Sequence, residues 1–202
     1  MKIQHLLIVT SVVTLANCDR NTNKLADMNH TTTSPNQSKS FTATILVNKS
    51  AGETFDAISN FRGWWSEDIE GNTDQLNETF FYHYKDIHLC KMKLIEAIPG
   101  KKLVYRVLEN EFNFIRDKSE WVNTRLVFDI STAGSATQVR FTHDGLVPEY
   151  ECYNVCNDAW SGYINNSLKS YIDTGKGSPN PKDKDGFNAE LARKWGLTAD
   201  ER

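Results

Sequence analysis

Residues 148–175 read PEYECYNVCNDAWSGYINNSLKSYIDTG, and this stretch has the period of a helix. Pro148 is typical of a first helical position, Glu149 and Glu151 favour the positive helix end, and Gly175 is a typical stop. When the residues are placed at 100° intervals, one broad face of the predicted helix is apolar and aromatic. That face consists of Cys152, Cys156, Ala159, Trp160, Tyr163, Ile164, Leu168 and Tyr171. A long helix with such a face needs a large concave partner, and a curved antiparallel sheet is the one available.

The chain before this helix supplies the strands of that sheet. Residues 41–47 (FTATILV) are rich in β-branched residues and predict a first strand. Two short helices are predicted after it, the first over residues 51–59, and residues 61–66 contain a Gly-Trp-Trp turn. Apolar and polar residues then alternate between turn signals, which predicts a meander of antiparallel strands. Its strands are predicted at residues 78–84, 87–98, 103–108, 121–130 and 138–143. This order predicts an α+β helix-grip fold, in which a curved antiparallel sheet wraps around a long C-terminal helix.

Length and charge limit the classes of function. The chain has 202 residues, with 23 basic and 26 acidic side chains and a formal net charge of −3. One domain is therefore expected, at residues 41–177, with an extension at each end. Clustered excess lysine and arginine would be needed to bind phosphate backbones, so no nucleic-acid partner is expected.

The two ends of the chain differ from this domain in composition. Residues 1–18 place Lys2 before a short apolar run, which indicates a signal peptide, and they end in Leu-Ala-Asn-Cys. That ending resembles a bacterial lipoprotein box, although Asn17 departs from the small residue usual before the cysteine. The resemblance implies lipidation of Cys18, export and a membrane anchor facing the periplasm or cell surface; a soluble periplasmic or secreted form is the alternative. Residues 19–40 predict a disordered tether, and residues 178–202 a tail with a short helix.

Four segments resemble bacterial members of the SRPBCC superfamily, the START and birch-pollen-allergen-like proteins, specifically the branch named activator of heat shock protein 90 ATPase homologue-like. They are residues 61–66 (FRGWWS), 84–90 (YKDIHLC), 141–153 (FTHDGLVPEYECY) and 160–179. The resemblance covers residues 41–181 and implies a helix-grip cavity for a small hydrophobic or amphipathic ligand. Two alternatives follow from it: a chaperone ATPase activator-like cofactor, which export disfavours because such partners are cytosolic, and a cyclase- or hydrolase-type enzyme.

The sequence has no paired nucleophile and base, no glycine-rich phosphate loop and no two-carboxylate signature, so no catalytic residue and no cofactor are predicted. Aromatic and polar residues on the inward faces are the candidates for a ligand cavity. They are Trp64, Trp65, Tyr82, Tyr84, His88, Cys90, Trp121, His143, Cys152, Tyr153, Cys156, Trp160 and Tyr163. Each ring could instead belong to the core, Trp64 and Trp65 could anchor the short helices or gate the cavity, and His143 could be a core histidine or an acid–base group.

The thiols leave three hypotheses open. His88 and Cys90 are two residues apart on one strand, and Cys152 and Cys156 are one helical turn apart. If the strand met the helix, these four side chains would form a tetrahedral zinc site. A disulfide from Cys90 to Cys152 or Cys156 is the second hypothesis. We expect the third, three cysteines in the core and no metal, because free cysteine is commonly buried and no metal-binding knuckle surrounds them.

Overall fold

The computed structural model describes residues 39–183. The predicted signal peptide with Cys18, nearly all of the predicted tether and the tail from residue 184 lie outside the described residues. Within the described range, no helix combines the length and the apolar character that crossing a bilayer requires.

The described residues form one antiparallel sheet and a C-terminal helix. The strands are β1 (Phe41–Val47), β2 (Ile69–Gly71), β3 (Thr79–Tyr84), β4 (His88–Ile98), β5 (Lys102–Phe112), β6 (Arg125–Ala133) and β7 (Ala136–Asp144). Helix α1 (Ala51–Ser59) and a 3-10 turn (Phe61–Gly63) follow β1. Across residues 39–183 the seven strands lie in the order β1-β7-β6-β5-β4-β3-β2, with every neighbouring pair antiparallel. The predicted α+β helix-grip fold is confirmed.

The C-terminal helix has three parts. It consists of α2 (Tyr153–Gly162), a π-helical segment (Tyr163–Leu168) and α3 (Lys169–Thr174). The predicted long C-terminal helix is present, and its wider π turn shifts the phase of the buried face. Ile172 is therefore buried in the last turn, whereas Tyr171, which was predicted on the inward face, is only partly buried.

Two strand boundaries differ from the prediction by four residues each. Strand β6 begins at Arg125 rather than at Trp121, because residues 121–124 form turns in which Asn123 adopts a φ of 71°. Strand β5 continues past Leu108 to Phe112. Its polar residue Asn110 is buried and forms a hydrogen bond with His88. Strand β2 is an additional short edge strand that the sequence pattern did not indicate.

Side chains from the helical parts donate hydrogen bonds to backbone carbonyls of both edge strands. Arg62 donates from Nη2 to the carbonyls of Ile69 and Gly71 in β2, at 2.8 Å each. At the other edge, Lys169 Nζ donates to the carbonyl of Leu46 in β1 at 2.7 Å. These contacts attach the helical parts to the sheet and hinder pairing of its edges with other strands.

Residues 176–183 follow the helix and lie against the domain; we call this segment the strap. Its Asn180 pairs with Ser66 in a parallel bridge, with Asn180 N donating to the carbonyl of Trp65 and Glu67 N donating to that of Asn180, both at 2.9 Å. Ser178 N donates to Ser167 Oγ at 2.7 Å. The ordered packing of the domain therefore includes residues beyond 177. Independent folding of residues 41–177 stays a prediction.

Candidate functional site

A cavity of about 160 Å³ opens between the first turns of α2 and one end of the sheet. Most of its wall is aromatic or aliphatic. Eight of the predicted candidates border it: Trp65, Tyr82, Tyr84, His88, Trp121, Cys156, Trp160 and Tyr163. Five further residues complete the wall: Ile87, Phe112, Phe114, Val155 and Ala159. Phe114 and Val155 are 41% and 58% exposed, so they mark the mouth.

The other five candidates lie outside the wall. Trp64 is fully buried and donates from Nε1 to the carbonyl of Ile58 at 3.0 Å, so it anchors the segment after α1. Trp65 is buried in the wall, and neither tryptophan is at the mouth as a gate would be. Cys90 and Cys152 are completely buried, and Tyr153 packs against the edge of the core. His143 is also buried, behind Trp160.

Four aromatic rings follow one another along the wall, with two of the neighbouring pairs stacked and one tilted. Tyr82 stacks on Trp65 with centroids 4.1 Å apart and an interplanar angle of 21°. Trp65 and Trp160 follow at 5.3 Å and 33°, and Trp160 and Trp121 at 5.9 Å and 19°. Offset stacking of this kind favours flat partners, so the cavity presents ring faces and edges to whatever occupies it.

His143 connects the tryptophans of this wall to the sheet. Trp160 Nε1–H donates to Nδ1 of His143 at 3.0 Å, so the ring proton must be on Nε2. Nε2–H then donates to Thr124 Oγ1 at 2.9 Å, and that hydroxyl donates to the carbonyl of Trp121 at 2.6 Å. Burial, with a smaller effect of His88, lowers the pKa of His143 to about 3. Both ring nitrogens are therefore committed in a neutral side chain, which makes His143 a core histidine.

His88 differs from His143 in having one uncommitted nitrogen. Asn110 Nδ2 donates to the carbonyl of Lys118 at 2.8 Å, which orients the amide so that Oδ1 accepts from His88 Nε2–H at 2.8 Å. Nδ1 of His88 is then an unprotonated acceptor, and it has no hydrogen-bond partner within residues 39–183. Burial lowers the pKa of His88 to about 4, although the hydrogen bond to Asn110 opposes this shift. The ring is neutral near pH 7 and contributes an acceptor to the cavity wall.

The three described thiols are free and buried, with no disulfide between them. A hydrogen bond to Cys156, followed by burial, raises the pKa of the Cys152 thiol, and burial raises that of Cys90. Cys90 lies opposite Tyr82 in the β3–β4 register. In the described part of the chain, no three histidine, cysteine or acidic side chains come together as a metal site would require. The alternative ligand set of His88, Cys90, Cys152 and Cys156 is therefore not assembled.

The connection between β5 and β6 carries two wall residues and is attached to the start of α2. Glu120 is buried, and its carboxylate accepts from the backbone N–H groups of Glu151 and, at 2.9 Å, of Cys152. Carboxylates are favourable at this end of a helix because unpaired N–H groups point toward them. Arg116 also donates from Nε to Glu151 at 3.2 Å. These contacts hold Phe114 and Trp121 over the cavity, and sequence patterns could not reveal them because they join distant residues.

The strap and the π-helical segment support the opposite side of the wall. Asn180 Nδ2 donates to the hydroxyl of Tyr163 at 2.7 Å. Ser167 Oγ in the π segment donates to the carbonyl of Trp64 at 2.6 Å. π turns are frequent at functional sites because they redirect the side chains around them. Here the turn begins at a wall residue, Tyr163.

No family model matches the chain, and no curated protein does. Several solved structures are similar in fold. The solution structure of the Aha1 dimer from Colwellia psychrerythraea is 22% identical, with a TM-score of 0.56 over 69% of this chain and 99% of that chain. DynU16, from the dynemicin biosynthetic locus, is 13% identical, with a TM-score of 0.52 over 68% of this chain and 48% of that one. MLL2253 from Mesorhizobium loti is 12% identical, with a TM-score of 0.50 over 65% of this chain and 96% of that one. Likeness at these identities establishes the helix-grip fold and not a function.

Proposed function

We propose that this domain binds one small hydrophobic or amphipathic ligand in the cavity between α2 and the sheet. The observation that carries this proposal is the cavity itself. Protein cores are otherwise packed as densely as organic crystals. The hollow of 160 Å³ is lined by aromatic and aliphatic side chains and opens to solvent at Phe114 and Val155. An apolar hollow that opens to solvent is the usual form of a small-molecule site, and an occupant would remove its apolar wall from water.

The chemistry of the wall supports binding rather than catalysis. His143 has no free nitrogen, and a base with a pKa of about 4, as in His88, is weak at neutral pH. The Cys90 and Cys152 thiols have raised pKa values, whereas a nucleophilic cysteine needs a lowered one. Neither histidine and neither of these two thiols is therefore activated as the cyclase or hydrolase alternative would require.

The chaperone-cofactor alternative has less support than ligand binding. It rests on the sequence resemblance and on a likeness to the Aha1 structure that extends to the fold alone. A protein-binding role would not require a hollow between helix and sheet. We further propose that the domain acts outside the cytosol on a lipid anchor at Cys18, which the apolar segment ending in Leu-Ala-Asn-Cys supports.

Filling the cavity tests the binding proposal. Cys156 borders the hollow and is nearly buried, so Cys156→Leu should place extra carbon atoms in it. Native mass spectrometry of the purified chain should show a ligand carried over with the wild type and little or none with this variant. Asn154→Leu, on the exposed side of the same helix, is the matched control and should retain the ligand. Equal occupancy of wild type and Cys156→Leu would contradict the proposal.

A further inference from the structure

We infer that the ligand is a small, neutral, planar aromatic molecule with one O–H or N–H donor, of the phenol or indole class, and that Nδ1 of His88 accepts that hydrogen bond. This inference rests on the proposed function, since it specifies the occupant of the same cavity. Three observations lead to it: the volume, the absence of charge in the wall, and the free acceptor.

The volume limits the size of the occupant. An engineered apolar cavity of about 150 Å³ in another protein binds benzene. A hollow of 160 Å³ therefore suits one ring or two fused rings, and a sterol or a long acyl chain would not fit inside. The rings of Trp65, Trp160 and Trp121, inclined to their neighbours by 33° and 19°, favour a flat molecule in shape.

The wall also determines the charge of the occupant. Among the described residues that line the cavity, none is aspartate, glutamate, lysine or arginine. His88 is neutral at physiological pH because its pKa is about 4. A charged ligand would lose its hydration without gaining a partner of opposite sign, which is costly in a low-dielectric site. The wall therefore favours a neutral molecule over a fatty acid or an amine.

The free nitrogen of His88 determines the polar group. Both nitrogens of the core residue His143 and Nε2 of His88 have hydrogen-bond partners. Nδ1 of His88 has none within residues 39–183. An occupant that covers this acceptor removes it from water, so a ligand that supplies a donor is preferred over a hydrocarbon of equal shape. Tyrosine hydroxyls in the wall can donate or accept and impose no such demand. His88 Nδ1 therefore selects a ligand with a donor.

Indole and indene test this selection because they have nearly the same shape and differ in the N–H group. Isothermal titration of the purified, ligand-stripped chain at pH 7 should give a Kd about tenfold lower for indole, because indene leaves the acceptor unpaired. Para-cresol should bind more tightly than toluene by a similar factor. Decanoate, which is charged and too long for the hollow, should bind more weakly than indole by at least that factor.

Two variants locate the acceptor. His88→Phe keeps a ring in place and removes Nδ1, so the preference for indole over indene should fall to about one. Tyr84→Phe removes a hydroxyl from the same wall and should leave the preference unchanged. If His88→Phe does not fold, the wild-type comparison alone decides. Equal affinity for indole and indene would overturn the inference while the binding proposal stands, and preferential binding of decanoate would overturn the size and charge arguments. Binding of none of these probes, with no carried-over ligand, would overturn both proposals.

Discussion

Replacing Trp160 tests whether the aromatic wall is a packed part of the core. Trp160 is 1% exposed, and its ring centroid lies 4.8 Å from that of Phe141 and 5.3 Å from that of Trp65. Truncating a buried tryptophan to alanine costs about 3–5 kcal/mol, and leaving His143 Nδ1 buried without its donor adds about 1–3 kcal/mol. One side of the indole borders the cavity instead of packed atoms. We therefore expect Trp160→Ala to lower the free energy of unfolding by about 4–5 kcal/mol, in the lower part of the summed range.

A second substitution separates packing from hydrogen bonding. Trp160→Phe keeps most of the ring and removes the Nε1–H group, so it should cost about 2 kcal/mol, chiefly from the unpaired nitrogen of His143. The free energies are measured by urea unfolding, with circular dichroism as the signal. Val155→Ala, at an exposed position on the same helix, should stay within about 0.5 kcal/mol of the wild type.

The outcomes of these measurements are distinct. A loss below about 1 kcal/mol for Trp160→Ala would refute the assignment of this residue to a packed wall. Equal losses for the alanine and phenylalanine variants would show that the hydrogen bond to His143, rather than the ring, supplies the stability. If the alanine variant does not fold, the phenylalanine variant still measures the hydrogen bond.

Three further predictions concern pH, the strap and the membrane anchor. His88 and His143 are neutral in the fold, with pKa values of about 4 and about 3, whereas the unfolded chain titrates them near about 6.5. The stability that the two neutral histidines contribute is complete above the unfolded-state pKa and is lost as the pH falls below it. The free energy of unfolding should therefore drop by about 2–3 kcal/mol per pH unit between pH 6 and pH 4. A free energy of unfolding that does not change over this range would contradict the prediction. A Cβ on Gly177 would lie 2.2 Å from the carbonyl oxygen of Gly63, so Gly177→Ala should cost about 1–3 kcal/mol, whereas Gly162→Ala, which meets no atom within 4 Å, should be neutral or stabilising. Cys18→Ser should move the chain from the membrane pellet to the soluble fraction, and retention in the pellet would count against a lipid anchor.

The sequence was sufficient for the fold because the fold depends on local periodicity. The aromatic face of residues 148–175 and the alternating meander before it define helix and strands without long-range information. The π turn at Tyr163 was not predictable in this way, because no residue type marks it. The end of β5 was placed too early for a related reason: Glu-Asn-Glu at residues 109–111 has the composition of a loop, yet Asn110 is buried by contacts with His88 and Lys118.

The candidate site was less accessible to sequence reasoning than the fold. Helical spacing identified Trp160 and Cys156, since both lie on the inward face. Phe112 and Phe114 were missed because β5 was predicted to end before them. The different states of His88 and His143 also depend on partners 17 to 22 residues away, as in the bonds from Trp160 and to Asn110. A single sequence contains no signal for such pairings.

The cavity is held open by contacts made from behind its wall. His143 anchors Trp160 to the sheet through Thr124, the Glu120 carboxylate binds the connection that carries Trp121 to the start of α2, and Asn180 in the strap holds Tyr163. Without such anchors, the rings of the wall could rotate into the hollow of 160 Å³ and remove apolar surface from water. All three contacts use the polar group of a wall residue or of its supporting segment and leave the ring faces toward the hollow. The hollow is therefore maintained by polar contacts of the fold, as the proposed ligand site requires.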